Sequence, residues 1–229
     1  MAKLLVPTVK RETSEFDRGL GFFDAVYAFA ITLLITNIDM PAPDAWKSIG
    51  TLLGGTLGSQ LLGFVISFVV IAVFWKVNFD LIRDFSGMNS SVVIVNLVTV
   101  GLVVLLPFTT QGISDPEIVG LPLPTALYAC NIALAILSQM IMFEVGRRSG
   151  LVAANHPPAA LWAERIDALL KVAVFLASVP VAFLAGPGWA RWVWATLLVI
   201  SPLSGRWSDR RVRESQAAAS GEDATGSVR

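Results

Sequence analysis

Long apolar runs separated by short polar stretches set the outline of the chain. A helix needs about 20 mostly apolar residues to cross about 30 Å of hydrocarbon, and six windows meet that: about 20–39, 57–81, 89–111, 121–145, 165–186 and 189–204. The last is short, with Pro202 near its end. The predicted fold class is therefore all-α, a polytopic membrane protein with six transmembrane helices, in one unit over residues 1–205. Between the first two windows, Pro41-Ala-Pro43-Asp44 ends one helix and offers an N-cap for a short interfacial one, with Trp46, Ile49, Leu52 and Leu53 on one side. Residues 206–229 are expected to be a cytoplasmic, disordered tail, Ala/Ser/Gly-rich from Glu214 onward and without apolar periodicity.

Lysines and arginines collect in cytoplasmic loops of membrane proteins. With the N-terminus inside and six crossings, all of the 17 Lys and Arg residues except Lys47 and Arg191 fall on the cytoplasmic side. Both termini are thus expected in the cytoplasm.

The first window carries a pattern that a plain anchor does not use. Arg18 and Asp24 sit at one end of it, and an ionised side chain inside a bilayer costs about 2.5–3.5 kcal/mol on insertion scales unless it is paired or faces protein or water. Six residues apart, their bearings differ by about 600° at about 100° per residue, so they do not pair closely on one straight helix. Each is expected to look to a neighbouring helix, which makes this segment a central one. From Asp24 onward, Ala25, Phe29, Thr32, Leu33, Thr36 and Asp39 recur at spacings of three and four and form one face.

Composition agrees with the windows. The chain is 55% hydrophobic and 15% charged, against about 25% charged in soluble domains. Net charge is zero, so there is no basic excess to argue for nucleic acid. Cys130, the single cysteine, lies in an apolar run and excludes an intramolecular disulfide. Residues 1–17 carry charges of both signs and no apolar core, so they do not resemble a secretory signal. His156 stands without a partner in an inner loop, and no phosphate loop, nucleophile elbow or metal spacing appears. No enzyme, cofactor or resident metal is expected.

Arg18, then Phe22-Phe23-Asp24, then Ala-Val-Tyr-Ala-Phe-Ala-Ile-Thr-Leu-Leu and Pro41 resemble the first helix of the endosomal/lysosomal potassium channel family, transmembrane protein 175, and its bacterial single-repeat homologues. Phe23 stands where the family has a serine. Trp75 with Asn78 near the end of the second window resembles the family's tryptophan and polar residue facing the helix-one aspartate. Asn96 and Leu106-Pro107-Phe108 in the third resemble its Asn and Leu-Pro-Phe pattern. The signature network carried over is thus Arg18, Phe22, Asp24, Trp75, Asn78 and Asn96. On the residues alone, Asn78 and Asn96 equally suit helix contacts, and Trp75 suits an interfacial anchor.

The resemblance implies a homotetramer in which the first helix of each subunit lines a pore, passing potassium with modest selectivity in a bacterial-type plasma membrane. The Thr-Val-Gly-Tyr-Gly filter of other potassium channels is absent from the sequence. Counting from Asp24, the family's apolar constriction, an Ile or Leu, falls on Phe29 and its selectivity threonine on Thr32; Leu33 and Thr36 complete the expected pore set, with transient K⁺ near Thr32. A ring of apolar side chains gates by excluding water, and a ring of hydroxyls replaces part of a hydration shell. Four phenylalanines on the axis imply a closed resting state. The alternatives are a secondary transporter, which shows repeats and broken helices, a non-conducting scaffold, or packing roles for Phe29, Thr32 and Thr36, the threonines bonding their own helix carbonyls.

Overall fold

The computed structural model describes residues 8–152 and 158–196. His156, the tail at 206–229 and the second half of the sixth window, 197–204, lie outside the described residues. Five helical segments have the length and apolar character of membrane spans: Ser14–Asn37, Thr56–Arg83, Ser90–Ser114, Pro122–Arg148 and Leu161–Leu184. A further helix, α8 (Pro187–Ala195), begins at the start of the sixth window.

Helix α1 (Ser14–Leu33) starts at Thr13, whose hydroxyl accepts the Phe16 amide, while Glu15 and Asp17 in the first turn suit the positive end of the helix. Its last turn tightens to a 3₁₀ segment, Leu34–Asn37. The connection between the first two spans differs from the expected single helix capped by Asp44. It is a 3₁₀ turn, Pro43–Lys47, followed by α2 (Ile49–Gly54), and the cap is Ser48, which forms a capping box with Thr51. Asp44 instead pairs with Lys47 at 2.5 Å.

The second span is one unbroken helix, α3 (Thr56–Arg83). The third window, expected as one helix, is broken at Leu105 into α4 (Ser90–Val104) and α5 (Leu106–Ser114). Pro107 lacks an amide hydrogen and restricts the residue before it, so the ladder restarts there. α6 (Pro122–Arg148) and α7 (Pro158–Leu184) complete the described spans.

Helix α6, not α1, is the hub of the single chain: it buries the largest share of its length, and it packs on α4, α5 and α7. The expectation of a central first helix is not met within one subunit. Small residues explain the difference. Ala126, Ala129, Ala133 and Ala135 are buried on α6, and small side chains let membrane helices approach closely where no hydrophobic drive operates. Hydroxyls knit the contact: Thr110 donates to Ser67 at 2.7 Å, Ser67 meets the Tyr128 hydroxyl at 3.2 Å, and Thr99 meets Ser138 at 2.7 Å.

At the end where α1 starts and α3 stops, a two-stranded antiparallel sheet ties the chain together. β1 (Thr8–Lys10) pairs with β2 (Gly87–Asn89), Val9 opposite Met88. A Cβ on Gly87 would meet the Val9 carbonyl oxygen at 2.5 Å, so only glycine fits that approach. The Arg11 guanidinium donates to the carbonyls of Arg83 and, at 3.3 Å, Phe85, and the Ser86 amide donates to Leu151 at 2.7 Å. The base of α1 is thereby fastened to both loops on that side.

Candidate functional site

Two seams run along α1 on opposite sides. Phe16, Phe23, Tyr27, Ala30 and Leu34 are buried against the rest of the chain. Opposite them, Arg18, Phe22, Ala25, Phe29, Thr32, Thr36 and Asp39 are exposed, at alternating steps of four and three. That 3.5-residue spacing is the seam by which helices meet other helices around an axis. Phe29 is 61% exposed and Phe22 55%, large apolar groups left mostly open among the described residues.

The face differs from the expected one at two positions. Leu33 is half-buried, and Ile35 is exposed beside Thr36. Leu33 still belongs to the regular helix, on the flank of the seam, whereas Ile35 lies in the 3₁₀ winding from Leu34, which turns the chain by about 120° per residue instead of about 100° and carries it toward the exposed side. Thr32 donates its hydroxyl to the Phe29 carbonyl at 2.8 Å, and Thr36 to Leu33 at 2.7 Å. These are the helix-internal bonds expected of packing threonines. They also commit the hydroxyl proton to the helix, so the oxygen lone pairs point outward as acceptors.

The signature residues are brought together in part. The Trp75 indole of α3 donates to Asp24 Oδ1 at 2.9 Å, joining α1 to α3 through a charge-assisted bond. Phe79 stacks on the same indole with ring centres 5.8 Å apart. Asn78 and Asn96 are fully buried, and neither amide bonds protein among the described residues. Arg18 is exposed and has no ion pair among the described residues, so the partner expected on a neighbouring helix is not found there. Phe23, in place of the family's serine, is 2% exposed and meets Phe22 edge-on at 5.7 Å. An apolar cavity of about 300 Å³ lies beside the pair, lined by Gly19, Met88 and Leu97 among others.

Three lone amides around this helix find partners that the sequence does not name, Gln139 in the helix contact expected of a polar group in an apolar run. Gln139 on α6 donates to the Phe74 carbonyl at 2.9 Å, and the buried Tyr27 hydroxyl has no hydrogen-bond partner among the described residues. Asn37 donates to the Pro107 carbonyl at 2.6 Å, and Gln60 forms two bonds with Asp39. Each is a lone amide in an apolar run, a signal of functional or packing use, but the sequence does not say which partner. Among the described residues no group of His, Cys, Asp or Glu side chains converges on a metal site.

Comparison with known proteins comes from three directions. The sequence model of the endosomal/lysosomal potassium channel TMEM175 family matches residues 18–107. A potassium channel of Streptomyces collinus (strain DSM 40733 / Tue 365) is 26% identical over 177 residues, 76% of this chain and 85% of its own length. One of Chryseobacterium sp. (strain P1-3) is 26% identical over 139 residues, 59% of this chain and 70% of the relative. The crystal structure of a lysosomal potassium-selective channel TMEM175 homolog from Chamaesiphon minutus shares the fold, with a TM-score of 0.60 at 20% identity, covering 87% of this chain and 99% of that one.

Proposed function

We infer the function from the family to which residues 18–107 assign the chain, that of the TMEM175 potassium channels: the protein is a potassium channel of the membrane. Its finer mechanism is our proposal. Four subunits assemble with their α1 helices around one axis, and the exposed seam of α1 lines the path. The seam is the observation that carries this reading: large apolar and hydroxyl side chains stand uncovered on one stripe while the opposite stripe is fully packed. One α1 encloses nothing, so the reading requires the oligomer.

In that arrangement Phe29 forms an apolar constriction that closes by excluding water, and Thr32 one turn on presents hydroxyl oxygens whose protons are already committed to Phe29. Thr36 repeats the arrangement outward. Potassium holds its water more weakly than sodium, so a short dehydration step favours it modestly. Asp24 and Trp75 hold α1 against α3 instead of touching the ion, with Asn78 and Asn96 buried behind them. Arg18 and Phe22 lie on the seam itself and meet neighbouring subunits at its inner end. Both termini lie in the cytoplasm and the protein sits in the plasma membrane, as the placement of Lys and Arg supports.

A second reading, a non-conducting scaffold, draws on the same residue: a ring of four Phe29 side chains is a larger plug than an Ile or Leu ring. A secondary transporter draws on the break at Leu105, since broken helices mark transporter sites. Potassium flux into proteoliposomes holding assembled wild-type protein or Phe29→Ala separates them. Non-saturating K⁺ flux, raised by the substitution, supports the channel; silence from both tetramers supports the scaffold, and saturable flux coupled to a second ion the transporter.

A further inference from the structure

Gln60 stands near the start of α3 beside Leu61-Leu62-Gly63-Phe64, and it is 5% exposed. A buried amide in hydrocarbon is costly unless both its halves are bonded. Here both halves bond one residue. The Gln60 amide donates to Asp39 Oδ2 at 2.8 Å, and its carbonyl accepts the Asp39 backbone amide at 3.1 Å. Two residues earlier, Asn37 is fixed to Pro107. The chain just beyond Thr36 is therefore fastened to α3 and α5, and a buried group sets the heading of the Asp39 carboxylate. Asp39 itself stays exposed, at the end of the seam. Lys47, in the connection that follows, pairs with Asp44.

We propose that Asp39 is the cation-attracting residue at the outer mouth of the permeation path, and that Gln60 is its positioning residue. The proposal rests on the reading that α1 lines the path. Symmetric copies then place one carboxylate per subunit beyond the Thr36 hydroxyls, next to the negative end of each helix. A ring of one sign at a low-dielectric mouth raises the local concentration of the permeant cation. Gln60 contributes by keeping each carboxylate turned to the mouth, which a mobile side chain does not do.

The test is K⁺ flux into proteoliposomes at a fixed K⁺ of about 10 mM, with ionic strength raised to about 1 M by N-methylglucamine chloride, which shortens the Debye length from about 30 Å to about 3 Å. Asp39→Asn keeps an acceptor for Gln60 and removes the charge. Its flux is expected to fall by about three- to ten-fold at low ionic strength and to converge with wild type at high. Gln60→Leu, with the carboxylate present but unheld, is expected to lose part of that flux and to converge likewise. Asp39→Asn tetramers that match wild type at low ionic strength overturn the proposal. So does a Gln60→Leu deficit that persists undiminished at high ionic strength, which marks a brace without electrostatic effect. Liposomes of wild type and of Phe29→Ala that both pass no K⁺ at any ionic strength refute the pore reading itself.

Discussion

The bond between Trp75 and Asp24 is the direct tie between α1 and α3 in the signature set, and it sets a magnitude. Trp75→Phe keeps the aromatic body and its stacking on Phe79 while removing the donor at 2.9 Å from Asp24 Oδ1. A hydrogen bond to a charged group contributes about 1.5–3 kcal/mol. Trp75 is 39% exposed and Asp24 half-buried, so water or a lipid headgroup recovers part of the loss, and about 1–2 kcal/mol is expected. Asp24→Asn leaves an oxygen for the indole but no charge, and neutral bonds are about half as strong. It should therefore cost less than Trp75→Phe, and it should weaken assembly more than selectivity. The assay is a double-mutant cycle on the thermal midpoint of the purified oligomer in detergent. With Asp24→Ala, which removes the acceptor altogether, as the second substitution, a coupling of about 1 kcal/mol or more between positions 24 and 75 is expected. Costs that add within about 0.5 kcal/mol, or an Asp24→Asn oligomer of normal stability with altered K⁺/Na⁺ preference, refute the structural role.

Two other substitutions have outcomes fixed by contact geometry. A Cβ on Gly146 would lie 2.6 Å from the Phe85 ring, which is 1% exposed, so Gly146→Ala should destabilise by about 1–3 kcal/mol. Gly101→Ala in α4 meets nothing within 4 Å and should be neutral or slightly stabilising by the same thermal assay. Thr32→Val removes an exposed hydroxyl bonded only to its own helix, so stability should stay within about 0.5 kcal/mol. Reversal potentials under K⁺ against Na⁺ gradients should then show reduced K⁺ preference; unchanged preference removes Thr32 from the ion path.

The spans were legible because hydrocarbon imposes a length and a composition that few other settings do. The seam of α1 was legible because hydroxyls and an aspartate recur at helical spacing in an apolar run. Its exact membership was not: nothing in Leu33-Leu34-Ile35 announces the 3₁₀ turn that uncovers Ile35, or that Leu33 sits half-buried on the flank. The sheet between β1 and β2 joins three-residue strands far apart in the chain, too short for any alternation to show. The break at Leu105 was half visible, since Pro107 announces a kink but not a restart. The hub role of α6 was written in its alanines, Ala126, Ala129 and Ala133, at spacings of three and four. The charges of α1 drew attention to the wrong helix for the single chain, because Arg18 and the seam beside it are open to neighbouring subunits on our reading. Gln60 and Asp39 were visible singly, but their pairing depends on how α3 returns beside the end of α1.

Potassium flux into proteoliposomes, with wild type beside Phe29→Ala, tests the account most directly. Purified protein is first shown to be tetrameric, and K⁺ and Na⁺ gradients are compared. The account predicts valinomycin-independent K⁺ flux that exceeds Na⁺ flux and rises when Phe29 is replaced. Tetramers of both proteins that pass neither ion would contradict it.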